Sequence, residues 1–385
     1  MTSSQTTQQG TPSVDQVRAA LATVIDPEIK RPITELGMVK DVAVHPDGTV
    51  AVAIYLTVAG CPLRDKLTQD TTAAVSAVAG VRDVRVTLDV MNDEQRAELR
   101  KSLRGDSKDP VIPFAQPGSL TRVYCVASGK GGVGKSSVTV NLAVAMAERG
   151  LSVGVVDADI YGHSVPRMLG TEARPTKVED MIMPPQAQGV KVISIGMFKQ
   201  GNAPVVWRGP MLHRTLQQFL ADVYWGDLDV LLLDLPPGTG DIAISVAQLI
   251  PNGEILVVTT PQTAAAEVAE RAGAIAQQTR QRIVGVVENM SWLELPDGSR
   301  MDVFGSGGGQ IVADSLSKLT GAEVPLLAQV PLDPRLRESG DVGRPIVVAQ
   351  PDAPAAVVLK QVAERLSVRS RGLAGRLLSV SPAGR

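Results

Sequence analysis

One glycine-rich segment constrains the fold of this chain more than any other stretch of its sequence. It reads Ser-Gly-Lys-Gly-Gly-Val-Gly-Lys-Ser-Ser over residues 128–137, after an apolar run at 123–127 and before a helix-like run at 138–149. A strand, a glycine-rich loop and a helix in this order are typical of a phosphate-binding loop, because the glycines let consecutive backbone N–H groups point at phosphate oxygens. The helix that follows adds the positive end of its dipole. The defining pattern, GxxxxGK[ST], is filled by Gly129, Gly134, Lys135 and Ser136.

The loop predicts a site for ATP and Mg²⁺. We expect Lys135 to meet the β- and γ-phosphates and the Ser136 hydroxyl to ligate Mg²⁺. The other loop residues expected to bind the nucleotide are Gly129, Lys130, Gly131, Gly132, Val133, Gly134 and Ser137. An ordinary phosphate-binding loop has no need of the second lysine, Lys130, so this residue carries additional information.

Composition argues against several classes of partner. The 385 residues carry a formal net charge of −2 and only 3% aromatic side chains, so neither a positive field nor a set of stacking rings predicts nucleic-acid binding. No apolar run reaches the length of a membrane-spanning helix, and the polar residues 1–10 do not resemble a secretory signal. Two cysteines without such a signal predict a reducing, cytoplasmic location.

The pattern of apolar and polar residues divides the chain into segments. Residues 1–12 are expected to be disordered, and residues 13–91 predict a small α+β domain with the order α-β-β-α-β. Residues 92–119 are charged and proline-rich, and they predict a linker with no more than a helical turn. Residues 120–366 alternate apolar strands with helical stretches, which predicts a doubly wound, mostly parallel α/β sheet. Residues 367–385 form a basic tail that we expect to be solvated rather than stably bound to a membrane.

Individual elements can be predicted inside both domains. In the small domain we expect helices over 14–25 and 62–79, strands over 49–58 and 83–90, and a turn at 45–48. In the larger domain the predicted strands are Val123–Ala127, Ser152–Val156, Val190–Ile195, Val230–Leu235, Glu254–Thr259, Ile283–Val287 and Leu326–Val330.

Polar residues at the ends of three predicted strands are candidates for the same site. Asp234 has the placement of a Walker-B aspartate in the metal shell, and the loop at 235–241 is suited to sensing the γ-phosphate. Asp159 is expected to orient the attacking water and Asp157 to support the Mg²⁺ shell, with capping of the next helix as the alternative for each. Asn289 is a candidate for a hydrogen bond to the nucleobase, with a simple turn role as the alternative.

Together these features resemble the deviant Walker-A ATPases, the group that holds MinD, ParA and the nitrogenase iron protein. In that group the loop reads KGGxGK[ST], as it does from Lys130 to Ser136. The resemblance implies that Lys130 reaches across a nucleotide-sandwich dimer to the partner's phosphates. It therefore implies a homodimer in which Lys130 acts beside the catalytic residues Lys135, Asp159 and Asp234.

Further stretches resemble the Mrp/ApbC family of iron–sulfur cluster carrier ATPases. They are Asp157–Gly162, Trp207–Met211, Asp234–Asp241, Glu288–Ser291 and Phe304–Gly309. The N-terminal segment is similar to the small domain of metal–sulfur cluster assembly proteins, through Asp26–Glu28, Glu35–Met38 and Leu56–Pro62. The resemblance implies an ATPase that binds iron–sulfur clusters and transfers them to acceptor apoproteins.

The chain departs from that family at the usual cluster site. The family carries Cys-x-x-Cys just after its Glu-Asn-Met-Ser stretch, and those positions are Leu295 and Gly298 here. The stretch Pro296-Asp-Gly298 predicts a hairpin turn without any thiolate. This absence counts in favour of the alternative function, a regulatory or positioning ATPase of the MinD/ParA kind that no longer carries a cluster, whereas the resemblance of the N-terminal segment to cluster assembly proteins counts against it.

The two cysteines have different surroundings in the sequence. Cys125 lies in the strand before the phosphate-binding loop and is expected to be a buried core thiol. Cys61 precedes Pro62 at a predicted helix start, where a thiolate is stabilised and can act as a soft metal ligand; an inert cysteine is the alternative. Asp26 and Glu28 either add oxygen ligands or cap a helix. A [4Fe–4S] cluster normally takes four thiolates and a dimer offers two copies of Cys61, so we expect any bound cluster to be labile.

Overall fold

A computed structural model provides the structure of the chain. It describes residues 11–27, 29, 31–57, 64–104, 111–116, 118–159, 162–179, 181–198, 209–238, 241–262, 272–274, 276–279 and 281–367. The chain divides into two compact units, the first formed by Met1–Ser119, Glu172–Gln186 and Lys191–Asp227 and the second by Leu120–Thr171, Ala187–Val190 and Leu228–Arg385. The predictions for residues 1–10 and 368–385 lie outside the described residues.

The beginning of the first unit has the predicted order α-β-β-α-β. Its elements are α1 (Val14–Leu21), β1 (Val39–Val44), β2 (Thr49–Leu56), α2 (Arg64–Ser76), β3 (Asp83–Val90) and α3 (Asp93–Arg104). Strands β1 and β2 are antiparallel across the predicted turn at 45–48, and β2 pairs in parallel with β3. Alternate residues of β2 are buried, as the alternation of apolar residues predicts.

Two predicted helices are shorter in the structure. Helix α1 ends at Leu21 rather than at residue 25, because Ile25 forms a β-bridge with Pro32 and the Asp26 carboxylate accepts the Ile29 N–H at 2.7 Å. Helix α2 ends at Ser76 rather than at residue 79. The predicted start of that helix at 62–63 lies outside the described residues.

The segment predicted as a linker contains a full helix, α3. At its start, the Asn92 N–H donates to the Gln95 side chain and the Gln95 N–H donates to the Asn92 side chain, both at 2.9 Å. This reciprocal cap stabilises the first turn. Leu99 is buried and Leu103 partly buried against the core of the first unit, which makes the helix part of that core. The prediction of no more than one helical turn is therefore wrong at this segment.

The elements that follow alternate between strands and helices. They are β4 (Arg122–Ala127), α4 (Lys135–Glu148), β5 (Val153–Asp157), α5 (Val165–Met168), β6 (Thr176–Val178), β7 (Met181–Met183), β8 (Gln186–Ala187), β9 (Val190–Ser194), α6 (Gly209–Ala221), β10 (Val230–Asp234), α7 (Asp241–Leu249), β11 (Glu254–Thr259), β12 (Ile283–Asn289), β13 (Leu293–Glu294), β14 (Arg300–Met301), α8 (Gly308–Thr320), β15 (Leu326–Val330), α9 (Pro334–Asp341), α10 (Ile346–Ala349) and α11 (Pro354–Ser367). All seven predicted strands are present, with ends within two residues of those expected. Within the described residues, no helix combines the length and apolar character needed to cross a bilayer.

The large sheet has the topology of a doubly wound fold. Its order is β15-β12-β11-β4-β10-β5-β9-β8, and the six strands from β15 to β5 pair in parallel. The first of these in the chain, β4, lies between β10 and β11, so the strand order reverses beside it. Ligands of open α/β sheets bind at such a switch point, outside the carboxyl ends of the strands. The predicted fold class is confirmed, and β4 leads into the glycine-rich loop at this point.

Candidate functional site

The glycine-rich loop has a backbone that requires glycine at two positions. Gly132 and Gly134 have φ angles of +77° and +80°, in the left-handed region that glycine adopts without steric cost. Helix α4 begins directly after Gly134, so its first N–H groups face the loop. A Cβ atom at Gly134 would also collide with the amide of Asn289. The predicted arrangement of strand, curled loop and helix N-terminus is present.

Asp234 connects the side chains that follow the loop. Its Oδ1 accepts from Lys135 Nζ at 2.7 Å and from Thr139 Oγ1 at 2.9 Å, and its Oδ2 accepts from Ser136 Oγ at 2.6 Å. Asp234 is fully buried and Lys135 is 6% exposed, so this is a buried ion pair with two hydroxyl donors. The structure thus brings together three residues that the sequence analysis assigned to one site. Thr139 was missed, although it lies one helical turn after Lys135 and therefore on the same face of α4.

The donor set suits Mg²⁺. A hydroxyl and a carboxylate, the Ser136 Oγ and the Asp234 side chain, lie within 2.6 Å of each other at the carboxyl end of β10. Hard oxygen donors of this kind are the ligands that Mg²⁺ takes beside the phosphates of a nucleotide. Ser136 and Asp234 would therefore hold the ion, and Lys135 would be close to the phosphates on the same face.

Asp157 and Asp159 follow β5, the strand next to β10. The register pairs Asp157 with Asp234 across the two strands, so both carboxylates lie at one edge of the sheet. Asp157 is fully buried and accepts the N–H groups of Asp159 and Val165, both at 3.3 Å. Asp159 is only half-buried, and it accepts the Gly162 N–H at 2.9 Å. Both carboxylates therefore bind local backbone, as the capping alternative expects, and both lie at the carboxyl edge that the nucleotide-site interpretation requires.

The loop after Asp234 contacts the glycine-rich loop. The Gly238 N–H donates to the Ser128 carbonyl at 2.9 Å, and the Leu235 N–H donates to the Val126 carbonyl at 3.1 Å. Gly238 has a φ angle of +92°. A displacement of the glycine-rich loop would therefore move the loop after β10 through these hydrogen bonds, as a sensor of the γ-phosphate requires.

Asn289 is tied to the glycine-rich loop rather than exposed to solvent. Its Nδ2 donates to the Val133 carbonyl at 2.9 Å, and the residue is 2% exposed. Its Oδ1 is buried without a hydrogen-bond partner among the described residues. An unpaired buried amide oxygen is costly, so this atom is well suited to accept a hydrogen bond from a ligand.

Lys130, the second lysine of the loop, is half-buried and donates to the side-chain oxygen of Gln262. Gln262 was not singled out in the sequence because nothing in its local pattern indicates a site. Gln262 follows β11, which pairs with β4 on the side opposite β10, and Lys130 follows β4. Only the order of the strands in the sheet therefore brings Lys130 and Gln262 together.

Positions 295 and 298, where the resemblance implies cysteines, lie in a β-hairpin. Strands β13 and β14 are antiparallel, and Leu295 and Ser299 close the turn through an N–H to carbonyl bond of 2.9 Å. Gly298 has a φ angle of +81°, and the Asp297 carboxylate accepts from Ser299 Oγ at 2.6 Å. The predicted hairpin is confirmed.

The structure describes only some of the cysteines and carboxylates that are candidates for binding a cluster. Cys125 is fully buried, which confirms the predicted buried core thiol, and burial raises the pKa of that thiol to about 12. Cys61 and Glu28 lie outside the described residues. Asp26 is buried and caps a turn through Ile29. Across the part of the chain that the structure describes, no group of three or more His, Cys, Asp or Glu side chains is arranged to hold a metal ion.

Comparison with protein families places both parts of the chain. Residues 119–367 match the family described as NUBPL iron-transfer P-loop NTPase, and residues 14–88 match the family described as iron–sulfur cluster assembly protein.

Individual relatives agree with these matches. The chain is 70% identical over 369 residues to the iron–sulfur cluster carrier protein of Mycobacterium bovis, which covers 96% of this chain and 97% of the relative. It is 40% identical over 326 residues to the protein of the same name in Bacillus subtilis, covering 83% and 88%. Among solved structures, the nucleotide-binding protein of Archaeoglobus fulgidus in complex with ADP matches at 35% identity and a TM-score of 0.51, covering 61% of this chain and 90% of that one.

Proposed function

The chain belongs to the iron–sulfur cluster carrier family of P-loop NTPases, and from this we propose that it couples Mg²⁺-dependent ATP hydrolysis to the transfer of a cluster. The observation that carries the proposal is the buried group formed by Asp234, Lys135 and Ser136 at the switch point of the sheet. The group joins a phosphate-binding lysine to a pair of Mg²⁺ ligands at the end of the glycine-rich loop.

The residues have distinct roles in the proposed hydrolysis. Lys135 exchanges its bond to Asp234 for the β- and γ-phosphates, which is favourable because a phosphate carries more charge than one carboxylate. Ser136 and Asp234 would hold Mg²⁺, which would supply positive charge to neutralise the phosphates. Asp159, at the carboxyl edge of β5 and half exposed, orients the attacking water, and Asp157 supports the shell around the metal from the buried side.

We also propose that hydrolysis occurs in a homodimer through Lys130. In a single chain this lysine is held by the neutral side-chain oxygen of Gln262. A charged phosphate binds an ammonium more strongly than an amide oxygen does, so the partner's nucleotide would displace Gln262. Lys130→Ala should therefore lower kcat by about a hundredfold to a thousandfold, the size of effect seen when one charge-stabilising donor is lost. Hydrolysis that does not depend on protein concentration or on Lys130 would contradict the dimer.

The cargo site is proposed on the small domain. Residues 13–91 and 120–366 are proposed as two functional parts, supported by family matches at 14–88 and 119–367. Because positions 295 and 298 are Leu and Gly, a thiolate for the cluster has to come from Cys61 or from another molecule. We propose a labile cluster, of the [4Fe–4S] type, that Cys61 holds only during transfer. The cytoplasmic location and the lack of nucleic-acid binding stay predictions from composition.

One experiment tests the cargo. The full chain is reconstituted anaerobically with iron and sulfide, and transfer to an apo-acceptor is compared between wild type, Cys61→Ala and Cys125→Ala. Cys125 provides a matched control because its thiol is buried and protonated. We expect Cys61→Ala to lose transfer and Cys125→Ala to retain it. Equal transfer by both variants would contradict the role of Cys61.

A second experiment tests the nucleotide site. Lys135→Ala should abolish ATP hydrolysis, whereas Lys360→Ala should leave it unchanged because Lys360 lies on α11 and pairs only loosely with Glu148 at 3.8 Å. Hydrolysis without any cluster uptake or transfer by the wild type would favour the alternative function of a regulatory or positioning ATPase. Undiminished hydrolysis by Lys135→Ala would overturn the proposed site.

A further inference from the structure

Glu288 is a buried carboxylate that the proposed hydrolysis does not use. It is 1% exposed and lies at the carboxyl end of β12, one residue before Asn289. Its Oε2 accepts the Gly309 N–H at 2.5 Å, and its Oε1 accepts from Gln329 Nε2 at 2.8 Å. Gly309 lies in the first turn of α8, so a negative side chain is placed at the positive end of a helix. Glu288 therefore joins β12 to the start of α8 and to β15.

The glycine-rich segment before α8 is shaped to allow this contact. A Cβ atom at Gly309 would lie 2.7 Å from the Glu288 Cβ and 2.8 Å from its Oε2. At Gly308, an added Cβ would lie 2.5 Å from the Pro261 carbonyl oxygen. All three distances are shorter than real contacts allow, so only glycine at these two positions lets the helix start so close to Glu288 and Pro261. The sequence stretches Glu288–Ser291 and Phe304–Gly309 are thus two halves of one contact.

On one side this contact reaches the nucleotide loop. Asn289 follows Glu288 directly and donates to the Val133 carbonyl at 2.9 Å. Met290 has a left-handed φ angle of +59°, which is unusual for a residue with a long side chain, and a Cβ at Gly134 would lie 3.7 Å from its Cε. The end of β12 is therefore held against the loop by a hydrogen bond, and the end of the Met290 side chain lies beside Gly134.

On the other side the contact reaches the hairpin of β13 and β14. The Ser291 N–H donates to the Val330 carbonyl at 2.9 Å, and the Trp292 carbonyl accepts the Leu332 N–H at 2.7 Å. The Arg300 guanidinium lies over the Trp292 ring, 4.1 Å from its centroid. The base of the hairpin is thereby fixed two residues after the strained Met290.

We propose that Glu288 is a positioning residue that links the nucleotide loop to the hairpin. By fixing the end of β12 it holds Asn289 under the loop and sets the position at which the hairpin leaves the sheet. A nucleotide bound at the loop is then sensed at Trp292. This inference rests on the proposed nucleotide site, and it adds a route from that site to the hairpin that carries positions 295 and 298, where the resemblance implies cysteines.

Tryptophan fluorescence of the full chain titrated with MgADP tests the link. The relevant signal is the part of the emission change that disappears in Trp292→Phe. Glu288→Ala should raise the Kd for MgADP about tenfold, which corresponds to about 1.4 kcal/mol, and should remove the Trp292 signal. Glu288→Gln keeps an oxygen that can accept the Gly309 N–H. Its amide nitrogen can donate to the side-chain oxygen of Gln329 once the Gln329 amide turns over, so this variant should keep the Trp292 signal and a Kd within about threefold of wild type.

Two more variants separate positioning from folding. Gln329→Leu removes one partner of Glu288 at an exposed position, so it should fold and should reduce the Trp292 signal. Gln310→Ala, at the exposed residue next to Gly309, is the matched control and should leave Kd and signal unchanged. A wild type that binds MgADP without a Trp292 signal would overturn the inference. So would a signal retained in both Glu288→Ala and Gln329→Leu. A wild type that does not bind MgADP would instead overturn the proposed nucleotide site.

Discussion

The substitution Asp234→Asn tests whether the buried group at the loop is a true ion pair. It keeps the shape of the side chain and removes its charge. The amide oxygen can still accept from Lys135 and Thr139, while the amide nitrogen replaces the oxygen that accepts from Ser136. The Ser136 hydroxyl can rotate to accept instead, because a hydroxyl both donates and accepts. What the variant cannot replace is the negative charge beside a lysine that is 6% exposed.

The burial of both partners sets the expected magnitude. Removing one partner of a buried pair costs about 3 to 5 kcal/mol, and because Asn keeps the hydrogen-bond geometry we expect the lower value, about 3 kcal/mol. For a unit of this size, each kcal/mol shifts the melting temperature by about 2 to 4 °C, so the loss should be about 6 to 12 °C. Thr139→Val removes one hydroxyl from the same carboxylate without a charge and should cost only about 1 kcal/mol.

Thermal unfolding of the full chain, followed by circular dichroism without added nucleotide, measures both variants. The larger loss for Asp234→Asn than for Thr139→Val would support a charge effect rather than a lost hydrogen bond. Equal losses in the two variants, or a melting temperature of Asp234→Asn within about 2 °C of wild type, would refute the reasoning, because neither fits an uncompensated buried lysine.

Three further predictions follow from burial and backbone geometry. Burial raises the pKa of the Cys125 thiol to about 12. Because the unfolded chain releases this proton first, the contribution of the thiol to stability is complete below about pH 9 and is lost as the pH rises to about 12. A disulfide reagent at pH 8 should label the thiol only after unfolding, and labelling of the native chain would contradict its burial. Gly134→Ala should weaken MgADP binding at least about tenfold, because the added Cβ collides with the Asn289 amide at the end of β12. Gly150→Ala, with a similar φ angle of +84° and open space around it, should leave MgADP binding unchanged and lower the free energy of unfolding by only about 1 to 2 kcal/mol of backbone strain. Equal MgADP binding by the two variants would exclude the collision. Leu99→Ala should lower the free energy of unfolding in urea by about 2 to 4 kcal/mol, because α3 is part of the core of the first unit. Leu120→Ala, at a residue 73% exposed, should change it by less than about 0.5 kcal/mol. Equally small effects of both substitutions would contradict the assignment of α3 to that core.

Features that depend on neighbouring residues could be predicted from the sequence. The strands of the large sheet are continuous apolar runs, which is the pattern of parallel strands buried on both faces. The loop and Asp234 could be assigned because a strand, a glycine-rich turn and a helix follow one another without interruption. The hairpin was predictable for the same reason, since Pro-Asp-Gly between short polar strands is a local signal.

Features that depend on contacts between residues distant in the sequence could not be predicted in this way. Helix α3 has a charged, apolar-poor sequence, and only its cap at Asn92 and the burial of Leu99 explain why it forms. Gln262 meets Lys130 because β11 and β10 flank β4, which is a property of the strand order. The pairing of Glu288 with Gly309 joins residues that are 21 positions apart, and neither has a local pattern that indicates the other.

The contrast between the loop and the hairpin explains how one fold can keep its nucleotide site while its cluster ligands change. The hairpin is held by its own turn, through Gly298 in a left-handed conformation and the bond between Asp297 and Ser299, so it needs no metal to form. Its base is fixed by hydrogen bonds between Ser291 and Val330 in β15 and between Trp292 and Leu332 just after it, independently of the residues at positions 295 and 298. The proposed route from Asn289 to the hairpin therefore does not depend on cysteines at positions 295 and 298. Under the proposed function, in which the thiolate comes from Cys61 or from a partner, a nucleotide-driven movement at this surface would present or release a cluster that the hairpin does not itself ligate.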